Sequence, residues 1–99
     1  MANILFNYLY RDGGNYKKYG SVVFANPGNV GVQELAALIQ SKLIDQTWFY
    51  HHHWHLPDLR PPTFDTTIDP TWHEFENVAC TSQSPDMAIT LAGFMALLG

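Results

Sequence analysis

A chain of 99 residues, 46% apolar and 14% charged, has room for one domain and one small core. It is too apolar and too sparsely charged for a disordered segment, and a net charge of −4 argues against general nucleic-acid binding. One cysteine, Cys80, excludes an internal disulfide framework and a multi-cysteine zinc site.

Met1-Ala2-Asn3-Ile4 lacks the basic start, long apolar run and small-residue cleavage site of a secretory signal, so the expected compartment is cytoplasmic. Residues 4–10 predict a strand. Ile4, Phe6, Tyr8 and Tyr10 share one face; Leu5 and Leu9 share the other with Asn7 between them, so both faces are expected to be covered and the strand central. Residues 11–20 form a polar connection in which Gly13 and Gly14 suit a tight turn. Ser21 to Ala25 predicts a second strand, and Asn26-Pro27-Gly28-Asn29 a turn. Over 32–43, Val32, Leu35, Leu38, Ile39 and Leu43 recur at helical spacing, with Gly31 as N-cap, Glu34 in the first turn and Lys42 in the last. Residues 47 to 54 are rich in strand formers but carry His51, His52 and His53, with His55 just beyond. Pro57, Pro61, Pro62 and Pro70 punctuate an extended loop over 56–70. Residues 72–80 predict the last strand, with Phe75, Val78, Ala79 and a buried Cys80 as packing residues. A linker over 81–86 leads to an apolar helix over 87–98, capped by Asp86.

The order β-β-α-β-β plus an apolar C-terminal helix predicts an α+β fold: a small, mainly antiparallel sheet with one helix on a face, rather than the alternative of an all-β barrel. Residues 1–86 form the expected domain, and 87–99 the expected oligomerisation element. Met87, Ile89, Leu91, Phe94, Met95, Leu97 and Leu98 carry no charge, and Ala88, Ala92 and Ala96 make a small-residue row. A helix apolar nearly all round needs covering, so the simplest outcome is a homo-oligomer; docking on its own sheet is the competing one. The stretch is too short to span a bilayer.

Three of the five basic residues, Arg11, Lys17 and Lys18, fall within one connection of an acidic chain. Backbone N–H groups at Gly13 and Gly14 can form an anion nest, and Tyr10, Tyr16 and Tyr19 offer rings and hydroxyls. The expected ligand site is therefore Arg11, Gly13, Gly14, Tyr16, Lys17 and Lys18, holding a small anionic, nucleotide-like ligand. The plainer reading pairs Arg11 with a carboxylate and leaves the lysines solvated. On a strand, His51, His53 and His55 would share a face. His51 and His53, completed by His73 or Asp58, would then have the spacing for zinc, with Glu74 as the base of a metal-dependent hydrolase. The plainer reading leaves the histidines facing solvent or packed in an interface. His73 and Glu74 are adjacent on a strand and so face apart, which frees Glu74 to reach Arg11 or Lys17 across the sheet. Six of the nine acidic residues lie in 58–86, opposite in sign to the 11–18 connection.

Tyr10-Arg11-Asp12, Asn15-Tyr16-Lys17, Gly20, Val23-Phe24, Asn26-Pro27, Leu43-Ile44-Asp45, Phe49, Pro57-Asp58 and Trp72-His73-Glu74-Phe75 together resemble a family of small uncharacterised bacterial and phage proteins, over roughly residues 8–76. The resemblance implies a compact module of the same fold and no assigned activity. The histidine run at 51–55 and the apolar tail after Asp86 depart from that pattern. Three functional readings follow. The leading one is non-enzymatic capture of a small anion, by analogy an accessory in phage or bacterial defence or counter-defence. The others are a metal-dependent hydrolase and a protein–protein interaction module.

Overall fold

The computed structural model describes residues 2–98. β1 (Asn3–Arg11), β2 (Lys17–Phe24), β3 (Trp48–Phe49) and β4 (His73–Thr81) form one antiparallel sheet in the order β2-β1-β4-β3, accompanied by α1 (Val32–Lys42) and α2 (Leu91–Leu97). The class is α+β.

β1 is central because its alternation supplies most of the core. Ile4, Phe6, Tyr8 and Tyr10 all point to one side and are at most 1% exposed. Phe6 is the hub, with the rings of Tyr8, Phe49, Phe75 and Phe94 at centroid distances of 5.4 to 6.0 Å. α1 lays Leu35 and Ile39, one turn apart, into the same cluster. On the opposite face Leu9 and Val23 are buried, while Leu5 and Asn7 are half-buried.

The last strand contains a bulge. Tyr8 pairs with Phe75 and Asn7 with Asn77, which leaves exposed Glu76 as the extra residue. Strict alternation would put Phe75 and Val78 on opposite faces; the bulge lets both pack on the core. Cys80 is exposed, which corrects its expected burial. β3 pairs only with His73 and Glu74, so the Cys80 end of β4 lies at the sheet edge.

The strand expected over 47–54 shrinks to Trp48–Phe49. A 3-10 turn follows over His51–Trp54, and His55 ends it in the left-handed region at φ 54°. The cause is packing. Phe49 and Trp54 stack at 4.6 Å with ring planes 4° apart, whereas five residues of strand would hold them far apart on opposite faces. Tertiary contact here overrides a strand-like composition.

The tail also differs from its expectation. The chain after β4 returns along the outer edge of β2, where Val23 N–H donates to Asp86 Oδ1 (2.7 Å) and Asp86 N–H donates to the Val23 carbonyl (3.1 Å). This covers an otherwise open strand edge. The helix begins at Leu91, not 87, and its cap is Thr90, whose hydroxyl accepts from Gly93 N–H. Leu91, Phe94 and Leu98 enter the same core cluster as β1, with Phe94 stacked on Phe24 at 4.5 Å. Ala88, Ala92 and Ala96 face solvent. The tail therefore finds its cover within its own protomer, and its apolar character needs no second copy to account for it. No helix among the described residues is long and apolar enough to cross a membrane.

Candidate functional site

In the β1–β2 turn the Gly13 and Gly14 N–H groups, expected to converge on one anion, go to two different carboxylates of the chain itself. Asp12 Oδ1 accepts from the N–H groups of Gly14 and Tyr16, each at 2.9 Å. Gly13 N–H donates to Asp69 Oδ1 at 2.8 Å. Gly13 lies so close to the Ile68 carbonyl that any Cβ there would collide with it. Arg11 Nε donates to Glu74 Oε2 at 2.7 Å, and its Nη1 donates to Asn15 Oδ1. Glu74 thus reaches Arg11 across the sheet, as the alternation of β4 suggested. This ion pair offsets the repulsion between Arg11 and Lys17, which sit directly opposite each other on β1 and β2. Arg11, Gly13 and Gly14 have their donors engaged within the fold and act as its frame.

Beside this frame lies a cleft of about 200 Å³ lined by Tyr10, Asp12, Tyr16, Lys17, Lys18, Pro61 and Thr63. Among the described residues, no ion pair engages Lys17 or Lys18. Tyr10 supplies a fixed wall. Its hydroxyl donates to the Pro70 carbonyl at 2.7 Å, and burial, then Asp69, raises its pKa above the usual phenol value. Tyr16 is 79% exposed at the mouth. The far wall comes from the 56–70 loop, where Arg60 lies 4.9 Å over the Phe64 ring and Phe64 packs edge-on against Tyr10. Of the six residues expected to hold the ligand, Tyr16, Lys17 and Lys18 line the cleft. Pro61 and Thr63 were missed, because nothing local in the sequence brings that loop to the hairpin.

The histidines gather around a different point. His73 is fully buried among the rings of Tyr8, Tyr10, Phe49 and His51, at 5.1 to 6.1 Å. Its Nε2 accepts the Leu59 N–H at 3.0 Å, which assigns the ring proton to Nδ1, and among the described residues Nδ1 has no hydrogen-bond partner. Burial, reinforced by the nearby His51, pushes the His73 pKa down to about 4. His51 Nδ1 lies 3.0 Å from the Leu56 carbonyl, and the Tyr8 hydroxyl donates to the Pro57 carbonyl at 2.7 Å. The Asp58 carboxylate faces both imidazoles, 3.6 Å from His73 Nε2 and 3.7 Å from His51 Nε2. Its hydrogen bonds from the Arg60 guanidinium hold its own pKa down at about 2.

The zinc set expected from a strand is not assembled. His51 and His73 come together, but His53 is exposed and packs on Tyr50 and His52. The turn destroys the alternation that would have aligned His51, His53 and His55. No group of three or more His, Cys, Asp or Glu side chains among the described residues is arranged to hold a metal ion. Glu74, the expected base, is committed to Arg11. No family model, curated protein or solved structure matches the chain.

Proposed function

We propose that this protein is a non-catalytic binding module for a small phosphate-bearing ligand, held in the cleft between the β1–β2 hairpin and the 56–70 loop. The observation that carries the reading is the pair Lys17 and Lys18: two cations without an ion pair among the described residues, lining a concave site in a chain of net charge −4. The other polar lining favours an anion too. Both the Gly14 and Tyr16 N–H groups donate to Asp12, which moderates its charge, and Thr63 adds a hydroxyl. Sites for drug-sized ligands run from roughly 300 Å³ upward. A cleft of about 200 Å³ suits a phosphate with a sugar-sized group attached, and a base would lie outside over the exposed Tyr16 ring. By analogy alone, the resemblance noted in the sequence extends this proposal to an accessory role in phage or bacterial defence or counter-defence.

Isothermal titration with ribose 5-phosphate, nucleoside monophosphates and inorganic phosphate tests the reading. The expected result is binding of the sugar phosphates that weakens at least tenfold in Lys17→Ala/Lys18→Ala. Absence of binding by every one of these compounds overturns the proposal.

A further inference from the structure

We infer that His73 is an acid-sensitive latch at Leu59: protonation of its Nε2 displaces the Leu59 N–H and turns the ring toward Asp58, which frees the chain from Leu59 onward while Asp58 stays on the ring. Besides the packing of Leu56 and Leu59 in the core and the Leu56 N–H bond to the His51 carbonyl, three side chains hold the loop. Tyr8 holds the Pro57 carbonyl and His51 Nδ1 meets the Leu56 carbonyl, while Leu59 offers a donor that only the lone pair on His73 Nε2 accepts. That lone pair accepts a hydrogen bond or binds a proton, never both. A proton on Nε2 therefore sets donor against donor at Leu59. The acceptor in reach is Asp58 Oδ1 at 3.6 Å, which needs to come only roughly 0.8 Å closer to form a hydrogen bond.

The titratable and charged groups facing His73 are Tyr8 and Tyr10 from β1, His51 from the 3-10 turn, and Asp58 and Arg60 from the loop. Of these, only Asp58 welcomes a new positive charge. The surroundings resist it in the closed state. The ring is fully buried, and Nδ1 already has an unpartnered proton, so the imidazolium would have two poorly served donors. Opening relieves both. It also lifts Leu59 from Gly20, where its side chain occupies the space that a Cβ would need. The chain continues from Arg60 to Pro61 and Thr63 on the cleft wall, so the released segment borders the cleft. The latch does not depend on what the cleft binds.

Amide hydrogen exchange of the full chain, followed by NMR from pH 7 to 4.5 and corrected for intrinsic rates, reads the Leu59 donor directly. A ring that returns on opening to the usual pKa near 6.5, from about 4 when closed, makes the open state roughly 50-fold more populated at pH 4.5 than at pH 7. Leu59 protection should fall by that factor, stay below that of Phe6 and Val78 at each pH, and, unlike theirs, be insensitive to dilute guanidinium, the mark of a local opening. His73→Gln, whose amide oxygen can accept the same N–H but cannot be protonated there, should abolish the acid response. The latch is overturned if Leu59 protection stays constant with pH, if its exchange quickens with dilute guanidinium as that of Phe6 and Val78 does, or if protection falls equally in His73→Gln. If that variant fails to fold, the ¹⁵N shifts of the wild-type ring decide: the Nδ1–H tautomer at pH 7 upholds the assignment, and the Nε2–H tautomer refutes it.

Discussion

Two parts of this small molecule are joined to the same strand by different forces. On one side of β1 the tail is held by hydrocarbon: Phe94 stacks on Phe24 and meets Phe6 and Trp54, and Leu91 and Leu98 fill the space around them. The 56–70 loop adds to the apolar packing of Leu56, Leu59 and Phe64 a set of single polar attachments, from Tyr8 to Pro57, His73 to Leu59, Tyr10 to Pro70 and Gly13 to Asp69. Apolar packing is distributed over many weak contacts and is indifferent to protons. A hydrogen bond to an imidazole is one contact that a proton can cancel. The tail therefore belongs to the cooperative core, and the proposed latch makes the chain from Leu59 onward a segment that opens locally.

The sharpest way to break this contrast is at the tail. Phe94→Ala should cost about 3–5 kcal/mol, read as a lower midpoint for the whole chain in denaturant unfolding. A tail that melts separately, with the sheet transition unmoved, would refute its place in the core. Acid comes next. Folded His73 stays neutral down to about pH 4, while an unfolded imidazole protonates near 6.5, so the unfolded chain binds more protons throughout that window. Stability should then fall as pH drops from about 6.5 to 4, with His73 contributing roughly 3 kcal/mol of the loss. Guanidinium titrations at several pH values in wild type and His73→Gln should show the difference in slope. Gly13→Ala should cost about 2 kcal/mol, because the methyl drives the hairpin from the Ile68 carbonyl; faster proteolysis within 61–70 than in the sheet would be its signature. Tyr10→Phe, which removes only the hydroxyl bonded to Pro70, should cost about 1 kcal/mol and leave the tail untouched in hydrogen exchange.

Much of the frame was legible because it is periodic. The alternation of Ile4, Phe6, Tyr8 and Tyr10 named the core face of β1, and the spacing of Leu35 and Ile39 named the buried side of α1. The alternation of β4 suggested that Glu74 could reach Arg11. Legibility failed wherever side-chain contacts, not backbone period, chose the outcome. Residues 47–54 are rich in strand formers, but the stacking of Trp54 on Phe49 curls His51–Trp54 into a turn. The bulge at Glu76 reverses the face of every later residue in β4, and no residue in that stretch announces it. The glycine nest at 13–14 was recognised as a set of donors, yet its occupants are Asp12 and, from 56 positions away, Asp69.

The amino-acid sequence alone determined the α+β class, the apolar faces of the long strand and first helix, and the concentration of basic residues on one hairpin. These follow from backbone geometry, which repeats every two residues in a strand and every 3.6 in a helix, so any short window carries them. Tertiary structure alone decided that the tail closes on its own core, that Arg11 and the two glycines serve as scaffold while Lys17 and Lys18 line the cleft, and that His73 supports a loop. Each of these depends on which partner satisfies a donor or covers a ring. That partner is chosen by the packing of the whole chain, since a buried group takes whatever complement the fold brings within about 3 Å.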